Sequence, residues 1–402
     1  MAKQSMRASA LKRLPRVSRK TPMISRKQFL LSAASCAAPP LLLGACSRGT
    51  DDQSYEAAVT RVWHPAVSPV GDSLSIRREL VRYATLAPSS HNTQCWKFRV
   101  EDKSISILPD FSRRTPAVDP DNHHLFVSLG CAAENLVQAA LANGLKADVR
   151  LDAAAAVRAA GSVAASTAGA VSVALEPTQA LVSPLCLAIP ERQCTRAEFD
   201  GQPVPTAELK LLEQAGTGAG VRVLLLTEKT AMEKILEYVV QGNTAQMNDP
   251  AFVEELKTWI RFGGDEAVRT GDGLYSATSG NPSLPRWLGL LLFGLFFTKK
   301  SENDKYARHI RSSAGIAIFV SDASDTTHWV EVGRCYERFA LQATALGIRN
   351  AMLNQPVEVA TLRPQFAAHL GIGSGRPDLV VRFGRGPKMP QSLRRPLQAV
   401  LA

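Results

Sequence analysis

Ala87-Pro-Ser-Ser-His-Asn-Thr-Gln-Cys-Trp96 is the stretch from which the rest of the chain is best read. Just upstream, Ser75 to Leu86 carries apolar residues at Ile76, Leu80, Tyr83 and Ala84, the spacing of a helix with one buried face. Pro88 ends that helix, because proline lacks an amide donor and pushes the preceding residue out of the α region. Downstream, Trp96-Lys-Phe-Arg-Val100 alternates as a strand, with Trp96 directed to the core. Between the two stand Ser89, Ser90, Asn92 and Gln94, four short side chains rich in hydrogen-bonding groups. They suit the edge of a flat heteroaromatic ligand, which presents carbonyls and ring nitrogens in one plane. An ordinary polar helix–strand turn has the same composition.

Further along, the chain echoes itself. Gly130, Glu134, Leu136, Ala140, Gly144 and Leu145 return at one constant spacing as Gly333, Glu337, Phe339, Ala343, Gly347 and Ile348. Each set reads as an apolar-striped helix closed by a glycine. A weaker echo pairs Arg78-Glu-Leu80 with Ala207-Glu-Leu209. Strand-like runs at 105–108, 170–175, 222–227, 316–321 and 378–383 alternate with helices, which gives an α+β chain. The Ala-, Ser- and Gly-rich stretch from Asp152 to Ala170 reads as a linker or surface excursion between two halves.

The motif Ala-Pro-Ser-Ser-x-Asn-x-Gln-x-Trp resembles the flavin-contacting signature of the nitroreductase family, with Cys95 where proline is usual. From Ser73 to the C-terminus the chain is most similar to the subgroup called Acg family FMN-binding oxidoreductases. In that family each FMN lies at a dimer interface. The resemblance therefore implies a nitroreductase-like α+β fold duplicated in one chain, an intramolecular pseudo-dimer of antiparallel-type sheets flanked by helices. It divides the chain into a first half over 73–185 and a second over 186–402, with an apolar insertion near 284–298. The second half has Ala-Gly-Thr-Gly-Ala-Gly-Val over 215–221 where the signature should recur, so one complete flavin site is expected and a second, degenerate one.

The same resemblance assigns residues. Pro88, Ser89, Ser90, Asn92 and Gln94 would shape or contact the isoalloxazine and ribityl groups, Gln94 alternatively holding the loop. Arg192-Gln-Cys-Thr-Arg196 resembles the family's opening Arg-x-Ser/Thr-x-Arg, so Arg192 and Arg196 would grip the phosphate, with Cys194 in place of a hydroxyl. Arg394, with Arg395 beside it, would form the C-terminal basic clamp. Asn354 and Gln355 follow a strand and occupy the place where backbone covers the N5 edge, there standing for an acidic residue and glycine. No catalytic acid or base is implied, since the flavin carries the hydride. His91 and the pair His123-His124 lack a third ligand at metal spacing and read as loop or surface residues, so no metal is expected.

The activity implied is hydride transfer from NAD(P)H, or from a membrane-derived donor, through FMN to quinones or nitro compounds. The alternatives are an FMN-sequestering protein with little turnover, or a scaffold that has lost the flavin. Trp287-Leu-Gly-Leu-Leu-Leu-Phe-Gly-Leu-Phe-Phe297 is apolar without break yet too short to span a bilayer. It reads by default as core, next as a lid over the flavin, and otherwise as a membrane-surface contact.

Residues 1–46 read as an export leader. Ser25-Arg-Lys-Gln-Phe-Leu-Leu31 resembles a twin-arginine signal, with Met23 an alternative start, and Leu43-Gly-Ala-Cys46 matches a bacterial lipobox. A lipid anchor on Cys46 and a periplasmic location follow, with 47–72 as a linker; an uncleaved anchor or the cytoplasm is the alternative. The leader also accounts for the charge: the whole chain carries 47 Lys and Arg against 36 Asp and Glu, a net +11, and without the nine leader cations this falls to about +2. A nucleic-acid partner is not expected. Cys95, Cys131, Cys186, Cys194 and Cys335 show no metal-type spacing, and an exported chain could form one disulfide among them.

Overall fold

Two four-stranded antiparallel sheets, each backed by a long buried helix, form the body of the protein. The computed structural model describes residues 48–65, 72–152 and 169–402. The expected leader with its Cys46 lies outside these residues, as does 153–168 of the expected linker. The other expected linker, 47–72, is corrected in part, because α1 (Arg48–Val62) occupies it. Tyr55 of α1 is buried with its ring 4.5 Å from that of Tyr275.

α2 (Ser73–Thr85) starts where Asp72 accepts a hydrogen bond from the Ser75 amide at 2.9 Å, and it buries Leu80, Val81, Tyr83 and Ala84. After Pro88 the chain enters β1 (Trp96–Val100), pairs with β2 (Ser104–Pro109), and rises into α3 (His123–Ala142). α3 is apolar on nearly every face, which is the pattern of a helix enclosed on all sides, and it is almost wholly buried. β3 (Leu145–Asp152) and β4 (Ala170–Pro177) complete the first sheet in the order β1-β2-β4-β3. β3 is missing from the expected strands, although Leu145, Ala147, Val149 and Leu151 alternate with charged residues as an edge strand does.

The second half repeats that path. α4 (Thr206–Ala215) leads into β5 (Val221–Leu226), and a long excursion follows before the sheet resumes. The excursion carries α5 (Lys229–Asn248), α6 (Pro250–Trp259), the two-residue parallel pair β6 (Ile260–Arg261) and β7 (Leu274–Tyr275), α7 (Arg286–Phe296) and α8 (Lys299–Arg311). Then come β8 (Gly315–Ser321), α9 (Thr326–Ala345), β9 (Arg349–Met352) and β10 (Arg376–Gly384), in the sheet order β5-β8-β10-β9. This order is the first sheet's order, strand for corresponding strand. The glycines that close α3 and α9 also match: Gly144 has φ 73° and Gly347 φ 71°, a left-handed conformation that suits glycine.

α3 lies on the first sheet, α9 on the second, and the two helices pack on each other to join both cores. The halves also exchange ends. The Ala402 amide donates to the Phe98 carbonyl of β1 at 2.8 Å, and the Thr195 amide donates to the Asn350 carbonyl of β9 at 2.8 Å. These crossings bring 192–196 and 392–395 against the end of α2, and that is where the cavity opens.

Candidate functional site

Residues 89–94 are held in an unusual backbone conformation. His91 (φ 48°), Asn92 (φ 53°) and Gln94 (φ 53°) all lie in the left-handed region. Such strain persists only where surrounding contacts enforce it. Here the Asn92 amide donates to the carbonyls of Gly273 (3.0 Å) and Leu393 (3.2 Å). The Gln94 amide donates to the Gly271 carbonyl (2.8 Å), and its oxygen accepts from the Arg395 amide (2.8 Å). With the Gln94 side chain turned inward, Pro88, Ser89, Ser90, His91 and Asn92 form one wall of a cavity of about 730 Å³. That size lies within the range of small-molecule sites.

The arginines divide into two groups with different work. Arg394 donates to the carbonyls of Thr85 (2.7 Å), Leu86 (2.9 Å) and Ala87 (3.1 Å) and to Asn92 Oδ1 (3.0 Å). Arg192 donates to the Leu86 carbonyl (2.8 Å) and pairs with Glu337 at 3.0 Å. Both therefore close the C-terminal end of α2, whose last carbonyls have no partner within the helix. Burial, with Arg192 nearby, pushes the Arg394 guanidinium down to about 9. Arg394 and Arg192 both border the cavity, but their donors are largely engaged within the chain. Arg395 and Gln94 do not border it; Arg395 donates to the Ala399 carbonyl and holds the C-terminal turn.

Arg196 is different. It donates to Ser279 Oγ at 3.1 Å and faces the cavity beside Lys305, His309 and Arg382. Arg382 is anchored on the carbonyls of Thr195 (2.9 Å) and Ala197 (2.8 Å) and stacks over the Phe199 ring. Among the described residues neither Arg196 nor Arg382 has a carboxylate at ion-pair distance, and Lys305 has only Glu302, at 4.0 Å. This end of the cavity is short of negative charge. Burial, then Arg382 and Lys305, push His309 down to about 3. Burial followed by the neighbouring cations lowers Lys305, and burial brings Arg382 to about 10. A phosphate or other dianion would match this group.

Lys305, His309 and Arg382 were not among the expected site residues. Their signals are in the sequence: Lys305 and His309 stand one helical turn apart on α8, and Arg382 interrupts the apolar strand Leu379-Val-Val-Arg-Phe383.

Opposite the loop, Asn354 and Gln355 border the cavity; Asn354 Oδ1 accepts from the Val380 amide (3.0 Å), while Gln355 Oε1 is buried without a partner. None of 215–221 lies on this wall. The inner face of α7 covers the cavity with Gly289, Leu292 and Phe293, meeting Phe252, Leu256 and Phe262. The default expectation of core for 287–297 is thereby corrected: Trp287, Leu291 and Leu295 are exposed on the outer face.

The histidine pair also differs from expectation. His123 and His124 are buried, not on the surface. His123 Nε2 lies 2.9 Å from Asp378 and His124 Nδ1 3.6 Å from Glu358, while Asp119 accepts the amides of His124 (3.0 Å) and Leu125 (2.9 Å) to cap α3. Their ligand atoms and those of Asp119 come within 4.8 Å of one another, the described group best placed for a metal. All three already have partners within the chain. The five described cysteines are free thiols.

No family model matches the chain. Proteins from two strains of Mycobacterium tuberculosis, each provisionally named an NAD(P)H nitroreductase, are 27% identical to it over 332 residues, covering 81% of this chain and 90% of their own. Among solved structures, an FMN-dependent nitroreductase from Mycobacterium smegmatis in complex with NADPH is 15% identical, with a TM-score of 0.32 over 50% of this chain and 86% of its own. A nitroreductase with bound FMN from Bacteroides fragilis is 14% identical, with a TM-score of 0.31 over 51% and 89%. Overlaps of that extent leave the fold to be read from this chain's own strand order.

Proposed function

We propose that this protein is an FMN-dependent oxidoreductase of the nitroreductase type, using NAD(P)H or a membrane-derived donor. The observation that carries the reading is the cavity itself, where a strained polar loop from the first half meets an end from the second in which Arg196, Lys305 and Arg382 face one described carboxylate, Glu302. Arg196, Lys305 and Arg382 would hold the FMN phosphate, while Ser89, Ser90 and the backbone of 89–92 would meet the ring or ribityl edge. The M. tuberculosis relatives, by name nitroreductases, support the assignment over most of the chain. Bound FMN would supply a two-electron carrier able to take up and give back hydride. The chain's own part is to orient it and to keep water out with α7.

The finer reading is that of the Acg-type subgroup, a nitroreductase unit duplicated in one chain, with halves at 73–185 and 186–402 and one site between them. The repeated strand order and the matched closing glycines support it. The acceptors would be quinones or nitro compounds. The leader motifs support export to the periplasmic face with a lipid on Cys46. A second reading, flavin binding with little turnover, is favoured by one observation: α7 lies across the cavity.

Anaerobic addition of NADPH or NADH, followed by a reduced quinol as the membrane-type donor, to the purified protein separates the two. Bound flavin that bleaches and recovers with a quinone or nitroarene supports the oxidoreductase. Flavin that stays yellow with NAD(P)H and with the quinol until dithionite is added supports the second reading. A colourless protein that cannot be loaded with FMN overturns both.

A further inference from the structure

α7 is apolar on both faces. Its inner face closes the cavity: the Gly289 Cα packs so tightly on Phe262 that an added methyl would stand 2.3 Å from that ring. Among the described residues nothing covers its outer face. Trp287 is 70% exposed, Leu291 56% and Leu295 62%, at the i, i+4, i+8 spacing of one stripe, and Gly294 on the same stripe has no atom within 4 Å of a would-be Cβ. Exposed apolar stripes of this kind on a soluble body mark a contact surface. The rim carries cations: Arg286 opens the helix, paired with Glu266 at 2.7 Å, and Lys299-Lys300 follow it, Lys300 in an exposed pair with Asp304; no acidic residue lies between 286 and 300.

We propose that the outer face of α7 lies in the surface of an anionic lipid bilayer, and that a lipid-soluble acceptor with an apolar tail, of the quinone class, enters the cavity beneath it. The acceptor part rests on the flavin reading above; the membrane contact does not. Eleven residues at ~1.5 Å each reach about 16 Å, half of a bilayer core, so the helix lies along the interface and does not cross it. Trp287 and the Leu stripe enter the acyl boundary, while Lys299 and Lys300 meet the phosphates, Lys300 exchanging its exposed partner Asp304 for them. The apolar end of the cavity, with Phe252, Leu256, Phe262, Phe293 and Phe297, then opens beside the acyl chains and accommodates the tail. A lipid-anchored chain, as the Leu43-Gly-Ala-Cys46 motif implies, would be held at such a surface already.

The test uses the full chain and phosphatidylcholine–phosphatidylglycerol vesicles carrying a spin-labelled quencher in the acyl region. The emission of Trp287, taken as the difference between wild type and Trp287→Phe, is expected to be strongly quenched, whatever the leader does. Unquenched Trp287 overturns the proposal, and if Leu291→Glu/Leu295→Glu then changes the oligomeric size, the stripe is a contact between copies. In the second arm, the same double variant is expected to keep its bound flavin and its rate with a short-chain water-soluble quinone, but to lose about tenfold or more with a long-tailed quinone in vesicles. Equal loss on both quinones overturns the portal. A chain that binds no flavin defeats the oxidoreductase reading while the quenching result still decides the membrane contact.

Discussion

Gly130 of α3 and Gly333 of α9 lie in reciprocal contact: a methyl on Gly130 would stand 2.0 Å from the Val330 carbonyl oxygen, and one on Gly333 2.0 Å from that of Val127. Val127 and Val330 are separated by the same interval as the two glycines, so each helix makes the same contact with the other. Glycine to alanine inside a helix ordinarily stabilises by about 0.5–1 kcal/mol. Here backbone is the obstacle and the helices must part. Gly130→Ala and Gly333→Ala are each expected to cost about 1–3 kcal/mol or more in denaturant unfolding. Gly294→Ala, facing open space, is expected to cost nothing.

The division of the arginines predicts two distinct phenotypes. Arg394→Ala strips the last carbonyls of α2 of their buried donor, at about 1–3 kcal/mol for each group left unpaired, so the melting temperature falls. Arg196→Ala removes a charge that no carboxylate among the described residues balances. Its melting temperature without ligand is expected to stay level or rise, while FMN affinity falls about 10- to 100-fold, equivalent to ~1.5–3 kcal/mol for a charge-assisted contact. Flavin fluorescence titration beside a thermal melt distinguishes the two.

How much of this was legible in the sequence depends on what each residue's role requires. The helix before Pro88, the strand from Trp96 and the paired helices could be read because periodicity and proline act locally. Arg192 and Arg394 are a different matter: composition shows a cation, but only the path of two crossing segments shows that helix carbonyls consume it. Lys305 and His309 share a face of α8, but Arg196 and Arg382 reach them from distant elements, and no spacing unites the three segments. α7 was ambiguous because an apolar run has the same composition whether its second face meets protein or lies bare.

His91 gives the site an acid limb. Burial first, then Arg196 and His124, lower its pKa from 6.5 to about 4, so the folded state binds fewer protons than the unfolded chain between those values. Stability is therefore retained above about pH 6.5 and lost as the pH falls toward 4, by at most about 3 kcal/mol and less where solvent in the cavity reaches the ring. His91→Gln is expected to flatten this limb between pH 6.5 and 4 in ligand-free protein. An unchanged slope would assign the acid sensitivity to His123, His124 or His309, whose pKa values are also depressed.

Cys194 reports on occupancy of the cavity. Burial pushes the thiols of Cys95 and Cys335 up to about 12 and raises Cys131 and Cys186 as well, which keeps them protonated and slow toward alkylation. Cys194 is partly exposed and borders the cavity next to the Arg196 group. Among the described cysteines it is expected to react first with iodoacetamide, identified by peptide mass. FMN at ten times its dissociation constant leaves only about a tenth of the sites empty, so alkylation of Cys194 should slow about tenfold. Inorganic phosphate should protect it less, since it fills only the cationic end. Alkylation at an unchanged rate in saturating FMN would mean that the flavin does not occupy the part of the cavity bordered by 192–196.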